Sequence, residues 1–268
     1  MMPRTARRLV PILALAAAHP ALAAGDLLVA PTRVLLDGAR GTEVVLNNVG
    51  SAPATYRISL ELRRMNAQGK LEDVVTGSET EKEKATLAMV TYAPRRVTLP
   101  PNQPQVIRVG ARFSPDLPDG EYRAHMLFRA IPDAAPATDG PRQGLSISLT
   151  PIYGVTIPVI VRKGALQASA ALSNVHLGKE EGQPTLAFTL TRSGDRSVYG
   201  RIRVTKPGVG KPIYEARGLA CYAELSAREV ALPLSPEQAT LMTGPVTVQY
   251  LEDNDAGGLI AEAQGTLR

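Results

Sequence analysis

Alternation of apolar and polar residues with a period of two runs through this chain from Gly25 to its end. Because successive side chains of a β-strand point to opposite faces, this alternation is typical of strands with one buried face. Runs of β-branched residues carry the pattern, and the 23 glycines and 22 prolines of the chain punctuate it. Helical periodicity is nearly absent. The pattern therefore predicts an all-β protein.

The predicted strands fall into two series separated by a joint at Arg162-Lys163-Gly164. Strands at intervals of about 8 to 12 residues with turn signals between them are typical of β-sandwiches. We therefore predict two sandwich domains, over residues 24–163 and 164–268. The charged stretch 76–86 is predicted to be a surface loop or at most a helical turn. The predicted strands are 44–47, 54–62, 106–109, 121–130, 145–150 and 155–161 in the first series, and 168–175, 186–191, 198–204, 229–232 and 246–250 in the second.

Residues 1–23 have the form of a secretory signal peptide. Arginines 4, 7 and 8 precede an apolar run of ten residues, and Ala21-Leu22-Ala23 has the small residues of a cleavage site. The apolar run is too short to cross a bilayer, which takes about 20 residues, so no membrane insertion is expected. Cleavage after Ala23 removes three positive charges and lowers the formal charge from +5 to +2. The expected location is the periplasm of a bacterium.

Few residues are available for catalysis or metal binding. The single cysteine, Cys221, cannot form an intrachain disulfide or a zinc site of paired thiolates, and we interpret it as a small buried side chain. Two histidines follow the predicted signal, His125 and His176, and both are interpreted as half-exposed strand residues. The sequence has no nucleophile elbow, phosphate loop or dinucleotide fingerprint. We therefore expect a protein that is not an enzyme and uses no cofactor and no metal.

Nucleic-acid binding is not expected either. Proteins that bind single strands interleave basic residues with stacking aromatic side chains, and this chain has three Phe and no Trp. The basic pairs Arg63-Arg64 and Arg95-Arg96 are interpreted as solvated strand ends. A formal charge of +2 after signal cleavage gives little attraction for phosphate backbones.

The segment 145–150 alternates without a fault. Leu145, Ile147 and Leu149 share one face, and hydroxyl-bearing residues occupy the other. An ordinary half-buried strand would show the same pattern. The stretch 133–144, rich in Pro, Ala, Asp and Gly, precedes it and favours an edge strand whose aliphatic row completes the sheet of another protein.

Six segments cover most of residues 29–164: PTRVLLDG at 31–38, APRRVTLPP at 93–101, QVIRV at 105–109, LPDGEYR at 117–123, FRAIP at 128–132 and IPVIVR at 157–162. In this order they resemble segments of the PapD-like periplasmic pilus-assembly chaperones. The second domain is similar only in its length and in the segment 250–258. The resemblance implies two immunoglobulin-like β-sandwich domains in a boomerang-like arrangement with a cleft between them.

The resemblance implies a chaperone that binds pilus or fimbrial subunits and delivers them to an outer-membrane usher. Such a subunit lacks the last strand of its own sandwich, and the chaperone lends its seventh strand by donor-strand complementation. On this basis Leu145, Ile147 and Leu149 are the donated side chains. An exposed donor strand also suggests a self-capping homodimer.

Two other classes of function stay as alternatives. One is a structural fibre subunit, against which the two full series of strands argue. The other is a β-sandwich carbohydrate-binding module or enzyme of the cell envelope, against which the absence of Trp argues. The sequence identifies neither the subunit, nor the usher, nor the type of fibre.

The resemblance also implies that two basic residues in the cleft grip the C-terminal carboxylate of the subunit. The first corresponds to Arg33, whose planar guanidinium suits a carboxylate. The second is a lysine in the family, and its place falls here on Thr156 or Pro158, neither of which is cationic. Tyr153 and Thr156 are candidate substitutes through their hydroxyl groups.

A buried charge cluster that ties the two domains together is a further implied feature. The corresponding residues are Glu121, Arg162 and Asp255, and their expected role is to set the angle between the domains. With one cysteine, the chain cannot have the disulfide that the long-loop subfamily carries near its donated strand. The loop before Leu145 is longer than in the shortest family versions, so the subfamily stays open.

Overall fold

A computed structural model describes residues 27–38, 40–132 and 152–268. The predicted signal peptide and the three donated residues Leu145, Ile147 and Leu149 lie outside these ranges, so both assignments stay predictions. Strands account for most of the described residues, and the helices among them are short. The predicted all-β class is confirmed. Neither helix within the described ranges has the length and apolar character needed to cross a bilayer.

The first half of the chain forms a sandwich of two sheets. One sheet has the order β1-β3-β9-β7 and the other β2-β11-β10-β4-β8, so the first strand of the chain is divided between them. All predicted strands of this half that fall within the described residues are present. The elements are β1 (Leu27–Ala30), β2 (Val34–Leu36), β3 (Thr42–Asn48), β4 (Ala54–Glu61), β5 (Arg63–Met65), β6 (Leu71–Asp73), α1 (Glu81–Met89), β7 (Val90–Ala93), β8 (Arg96–Leu99), β9 (Pro104–Ala111), β10 (Gly120–Ile131) and β11 (Gly154–Lys163).

Alternation along these strands builds the first core. On β10, Tyr122, Met126 and Phe128 point into the sandwich and are at most 4% exposed, and Val159 and Val161 of β11 lie beside them. Burial of one such side chain contributes roughly 1.5 to 3 kcal/mol to the stability of the fold. A slip of one residue would expose all of these side chains, so their burial fixes the register of both strands. The intervening residues of β10 and β11 therefore point away from this core.

Helix α1 is longer than the predicted loop or single turn. Thr80 and Glu83 form a capping box, in which each side chain accepts a hydrogen bond from the backbone N–H of the other residue. Glu83 also accepts two hydrogen bonds from Arg64, at 2.8 and 2.7 Å, and these bonds are the main reason that its pKa is lowered to about 2. The segment lacks apolar periodicity, so its only sequence signal was the Thr-x-x-Glu spacing.

The second half forms another sandwich, with sheets β12-β13-β16 and β15-β14-β17-β18. All five predicted strands are present, while β15 and β18 were not predicted. Cys221 is fully buried in this core, as expected, and burial raises the pKa of its thiol. The elements are β12 (Ala168–Glu180), β13 (Gln183–Gly194), β14 (Val198–Thr205), β15 (Tyr214–Cys221), β16 (Ala227–Pro233), α2 (Pro236–Met242), β17 (Gly244–Glu252) and β18 (Leu259–Leu267).

The chain passes from one sandwich to the other at Gly164. This residue has a φ of 86°, a left-handed conformation that glycine adopts at little cost. The turn lets β11 end against the first core while β12 starts the second. The predicted division after residue 163 falls at this turn.

The hairpin of β5 and β6 leaves the first sandwich and lies against the second; we call it the interdomain hairpin. Its Met65 packs with Ile160, Ala220 and Tyr222 in a small separate core. The carbonyl of Ala67 accepts a hydrogen bond of 2.8 Å from the backbone N–H of Glu229. The two sandwiches are thus joined by packing as well as by the chain.

Candidate binding cleft between the sandwiches

The sheet that contains β2, β11 and β10 turns its second face toward the second sandwich. Because alternate residues of β10 are committed to the first core, Glu121, Arg123 and His125 lie on this opposite face. Their cross-strand partners on β11 are Arg162, Ile160 and Pro158. The cleft is therefore lined by residues whose positions follow from the packing of the first core.

Glu121, Arg162 and Ser197 form a closed group, which we call the junction cluster. The Glu121 side chain is 2% exposed, and its Oε2 accepts hydrogen bonds of 2.9 Å from both Arg162 Nε and Ser197 Oγ. Its Oε1 accepts the backbone N–H of Ser197 at 3.1 Å. Both carboxylate oxygens are thus satisfied by groups from two domains, as a buried charge requires.

Asp255 is not part of this cluster, which corrects the sequence-based assignment. It is exposed, and no hydrogen bond or ion pair joins it to Glu121 or Arg162 in the described part of the chain. The alternation of β17 stops at Glu252, and residues 253–256 form a bend that turns Asp255 outward. Ser197 fills the third place, and Asp253, which also lines the cleft, is an ion-pair partner of Arg217 at 3.5 Å.

Arg33 enters the cleft immediately before β2. Its guanidinium stacks on the ring of Tyr199, 4.4 Å from the centroid, and its Nη2 donates to Ser197 Oγ at 3.4 Å. Its Nη1 is buried and has no hydrogen-bond partner among the described residues. Burial lowers the pKa of Arg33, and the phenol of Tyr222 acts against that shift. A cavity of about 290 Å³ opens beside it, next to Leu35.

The register of β2 and β11 identifies the place of the second basic residue. Val34 pairs with Val159 in parallel, so Pro158 lies at the level of Arg33. Thr156 lies two residues before Pro158 on β11, opposite Leu127. Tyr153 is 54% exposed. No hydrogen bond joins Tyr153 or Thr156 to Arg33 within the described ranges, so their helper role stays a prediction.

His125 is buried, and its interpretation as a half-exposed residue is wrong. It is 1% exposed, and neither ring nitrogen has a hydrogen-bond partner among the residues described. Its ring meets that of Tyr222 edge-on, with 6.4 Å between centroids. Burial is the main reason that its pKa is lowered to about 3, and the charges of Arg123 and Arg63 act in the same direction. Histidine is therefore neutral here over the pH range of most environments.

Arg123 lies two residues before His125 on the same face of β10. Its guanidinium stacks 3.6 Å from the centroid of the Tyr222 ring, and its Nη2 donates to Glu224 Oε1 at 2.6 Å and to the carbonyl of Arg63 at 2.8 Å. Its Nε and Nη1 are buried and have no hydrogen-bond partner in the part of the chain that is described. We call Arg33, Arg123 and His125 the donor cluster.

Sequence reasoning found only one member of the donor cluster. Arg123 was not singled out and His125 was interpreted as half-exposed, because a strand of apolar and polar residues looks the same whether its polar face meets water or a second domain. A usable signal was present, since Glu121, Arg123 and His125 have the same parity on one predicted strand. Placing Glu121 in the cleft places the other two beside it.

The first part of β11 has a neighbouring strand on one side only. Residues 154–157 pair with β10, whereas β2 pairs with Val159 to Val161. Within the described residues, the outer edge of β11 before Pro158 therefore carries backbone groups with no neighbouring strand. This edge lies directly after the segment predicted to be donated.

Comparisons with known proteins found solved structures alone, since no family model and no curated protein matches the chain. One is the CsuC-CsuE chaperone-tip adhesion subunit pre-assembly complex from archaic chaperone-usher Csu pili of Acinetobacter baumannii, at 13% identity and a TM-score of 0.47, covering 90% of this chain and 99% of that chain. The Pseudomonas aeruginosa CupB2 chaperone is 13% identical, with a TM-score of 0.46 and coverage of 90% and 100%. The E. coli chaperone DraB is 18% identical, with a TM-score of 0.46 and coverage of 91% and 98%.

Proposed function

We propose that this chain is a periplasmic chaperone that binds pilus or fimbrial subunits by donor-strand complementation and delivers them to an outer-membrane usher. The observation that carries the proposal is the buried and incompletely hydrogen-bonded guanidinium of Arg33. Its guanidinium lies in a cleft between two sandwiches, held by Tyr199 and Ser197, with one nitrogen buried and unpartnered among the described residues. A cation held in this way suits the chain-terminal carboxylate of a bound subunit.

The free edge of β11 supports the same function. Backbone groups of residues 154–157 are available for pairing with a strand of another protein, which gives affinity without dependence on sequence. Ile157 and Val159 point into the first core. Leu145, Ile147 and Leu149 have the same odd parity in the sequence, and in this proposal they enter the open core of the subunit.

The energy for holding a subunit comes from burial and strand pairing in this proposal. Each donated aliphatic side chain contributes roughly 1.5 to 3 kcal/mol when buried, before the cost of ordering is subtracted. No cofactor, metal or catalytic step is needed. An incoming subunit that offers a better strand can then displace the chaperone. The same exposed strand would let two free copies cap each other as a homodimer.

The test is capture of a subunit in the periplasm. A tagged chain is expressed in its native cell, purified from the periplasm and examined by mass spectrometry for its partner and for its own first residue, expected at Ala24. Ile147→Asp should reduce capture by about tenfold or more, because a charge cannot enter the open core of the subunit. Ser148→Asp is the matched control on the opposite face and should retain capture.

Two outcomes would overturn the proposal. Equal capture by Ile147→Asp and the unaltered chain would remove the donated strand from the mechanism. Absence of any fibre subunit from the purified complex would remove the chaperone function itself. Sedimentation of the free chain gives a second reading, since Ile147→Asp should abolish a self-capping dimer.

A further inference from the structure

Three arginines lie side by side on the outer face of the first sandwich, one on each of β8, β4 and β10. Arg57 of β4 pairs directly with Arg96 of β8 and with Arg129 of β10. All three are exposed, because the residues beside them in each strand point into the core. Directly paired residues share one face of a sheet. The three side chains therefore form one row, which we call the arginine row.

The arginine row has no counter-charge in the part of the chain that the structure describes. No carboxylate there lies at ion-pair distance from any of its members, and Glu61, further along the same face of β4, is paired with Arg63 at 3.1 Å. The adjacent pair on β4 and β8 is satisfied internally, since the hydroxyls of Thr55 and Thr98 share a hydrogen bond of 2.9 Å. Like charges directly opposite each other destabilise a sheet. An anionic partner would remove this repulsion.

The arginine row runs to the free edge of the sheet. Arg129 pairs with Gly154, the first residue of β11, which has no side chain and no strand on its other side within the described ranges. The nearest side chain to the place of its missing Cβ is that of Leu127, with 3.0 Å between that place and the Leu127 Cδ1. Among the described residues, no charged group therefore separates Arg129 from a strand that pairs with β11.

A strand added at this edge brings one of its side chains into line with the row. Neighbouring strands lie about 4.8 Å apart, so the residue opposite Gly154 would lie about 10 Å from Arg129 between Cα atoms. An arginine and a glutamate side chain can meet across this separation, because the position between them has no side chain of its own. The fork of donors on a guanidinium suits a carboxylate.

We propose that the arginine row receives acidic side chains of the partner strand that pairs with residues 154–157, the first of them opposite Gly154. The assignment rests on the proposed function, because that strand belongs to the bound subunit. It gives the subunit a second recognition feature, on the face of its strand opposite to the donated aliphatic side chains. Charge complementarity of this kind selects partners and favours one register over its neighbours.

The arginine row is separate from the cleft. Arg129 lies four residues beyond His125 on β10, which places it about 13 Å further along the strand. Its ligands in this proposal are side-chain carboxylates, whereas Arg33 faces the end of a chain. The two sites can therefore be tested with different ligands.

Peptides that end in amides test the row, because they have no terminal carboxylate for Arg33. The chain that begins at Ala24 is titrated with a labelled, acetylated and amidated octapeptide of alternating Thr and Glu, and with its uncharged match of alternating Thr and Gln. Fluorescence anisotropy reports binding. The acidic peptide should bind about tenfold more tightly or better at low salt, and added salt should reduce this preference, because exposed charges are screened.

Two results of these titrations would overturn the proposal. One is equal binding of the acidic and the uncharged peptide. The other is binding to phosphatidylglycerol vesicles, but not to phosphatidylcholine vesicles, by a chain that ignores the acidic peptide. That result would make the row a surface for anionic lipid instead of for protein.

Variants of the row should change stability and binding in opposite directions. Arg57→Gln removes the central charge, so the urea midpoint should rise while the affinity for the acidic peptide falls about two- to fivefold. Arg129→Glu reverses the charge nearest the edge and should abolish the preference for the acidic peptide. Arg108→Gln is the matched control, since Arg108 is 85% exposed on the other sheet, and it should leave the affinity unchanged. A lower urea midpoint in Arg57→Gln would show that the row already has a partner within the chain, which would overturn the proposal.

This inference and the proposed function fail in different experiments. Ile147→Asp tests the donated strand and should leave peptide binding unchanged, because residue 147 is not part of the row. Loss of subunit capture in that variant, together with equal binding of the two peptides, would overturn the role of the row and leave the chaperone function in place. Unchanged capture would overturn the donated strand whatever the peptides do.

Discussion

Glu121 of the junction cluster and Arg123 and His125 of the donor cluster lie on the same strand, β10, yet the two clusters satisfy their polar groups in opposite ways. Glu121 uses both carboxylate oxygens within the protein. In the donor cluster, Arg33, Arg123 and His125 all keep buried nitrogens without partners among the residues described. A network in which every polar group is bonded stabilises the junction of the two sandwiches. A network with unbonded buried nitrogens has hydrogen-bonding groups that a ligand can still use. Each of the following predictions tests that contrast.

The largest effect is expected at the junction cluster. Glu121→Ala leaves Arg162 as a partly buried charge without its carboxylate and should lower the free energy of unfolding by about 3 to 5 kcal/mol. Glu43→Ala is the matched control, since Glu43 is 61% exposed and only 3.9 Å from Arg108, and it should cost less than about 1 kcal/mol. Urea unfolding of both variants measures the difference, and similar losses would erase the distinction between a buried and an exposed pair.

A pH-dependent effect is expected at His125. An unfolded histidine binds a proton near pH 6.5, whereas folded His125 does so only near pH 3, so the unfolded state binds more protons between these values. Stability should therefore fall as the pH decreases from about 6.5 to about 3, by at most about 1.4 kcal/mol per pH unit. His125→Gln should flatten this dependence.

Two further groups serve as controls for the pH dependence. Glu83 titrates at about 2 instead of 4.5, so it also loses stabilisation as the pH falls, but it does so equally in the variant and the unaltered chain. His176→Gln changes an exposed histidine and should leave the slope as it was. A slope that survives His125→Gln would show that burial of this ring is not its source.

The smallest effect on stability is expected at Arg33. Arg33→Met keeps contact with Tyr199 but removes the unpartnered Nη1, so the free energy of unfolding should change by less than about 1 kcal/mol or should rise. Subunit capture should nevertheless fall. Arg95→Met is the matched control, because Arg95 also lies over a tyrosine, 4.9 Å from the ring of Tyr92, outside the cleft. Equal capture by Arg33→Met and the control would assign Arg33 a structural role.

The sequence predicted the strands well because burial of one face of a strand requires apolar residues at alternate positions, and that alternation is visible in the sequence. It missed α1, where capping and the bond from Arg64 to Glu83 replace an apolar face. It placed Glu121 and Arg162 together correctly, since both follow from the register of β10 and β11. The assignment of Asp255 to the charge cluster was wrong because a bend after Glu252 ends the alternation. No local sequence pattern shows in which direction the side chains of a bend point.

The cleft residues were harder to predict for a different reason. His125 and Arg123 are buried by Tyr222, which lies about a hundred positions away in the chain. Local composition carries no information on contacts at that separation. Arg33 was found only because a family resemblance named its position, and alternation gives no sign of its stacking on Tyr199.

The interdomain hairpin has a consequence for when the cleft comes into being. Under the proposed secretion the N terminus crosses the membrane first, so Met65 emerges early and its packing partners Ala220 and Tyr222 emerge late. Arg33 and Tyr199 are separated in the same way. In the proposed function, the cleft is therefore complete only after nearly the whole polypeptide has crossed the membrane and both cores have formed.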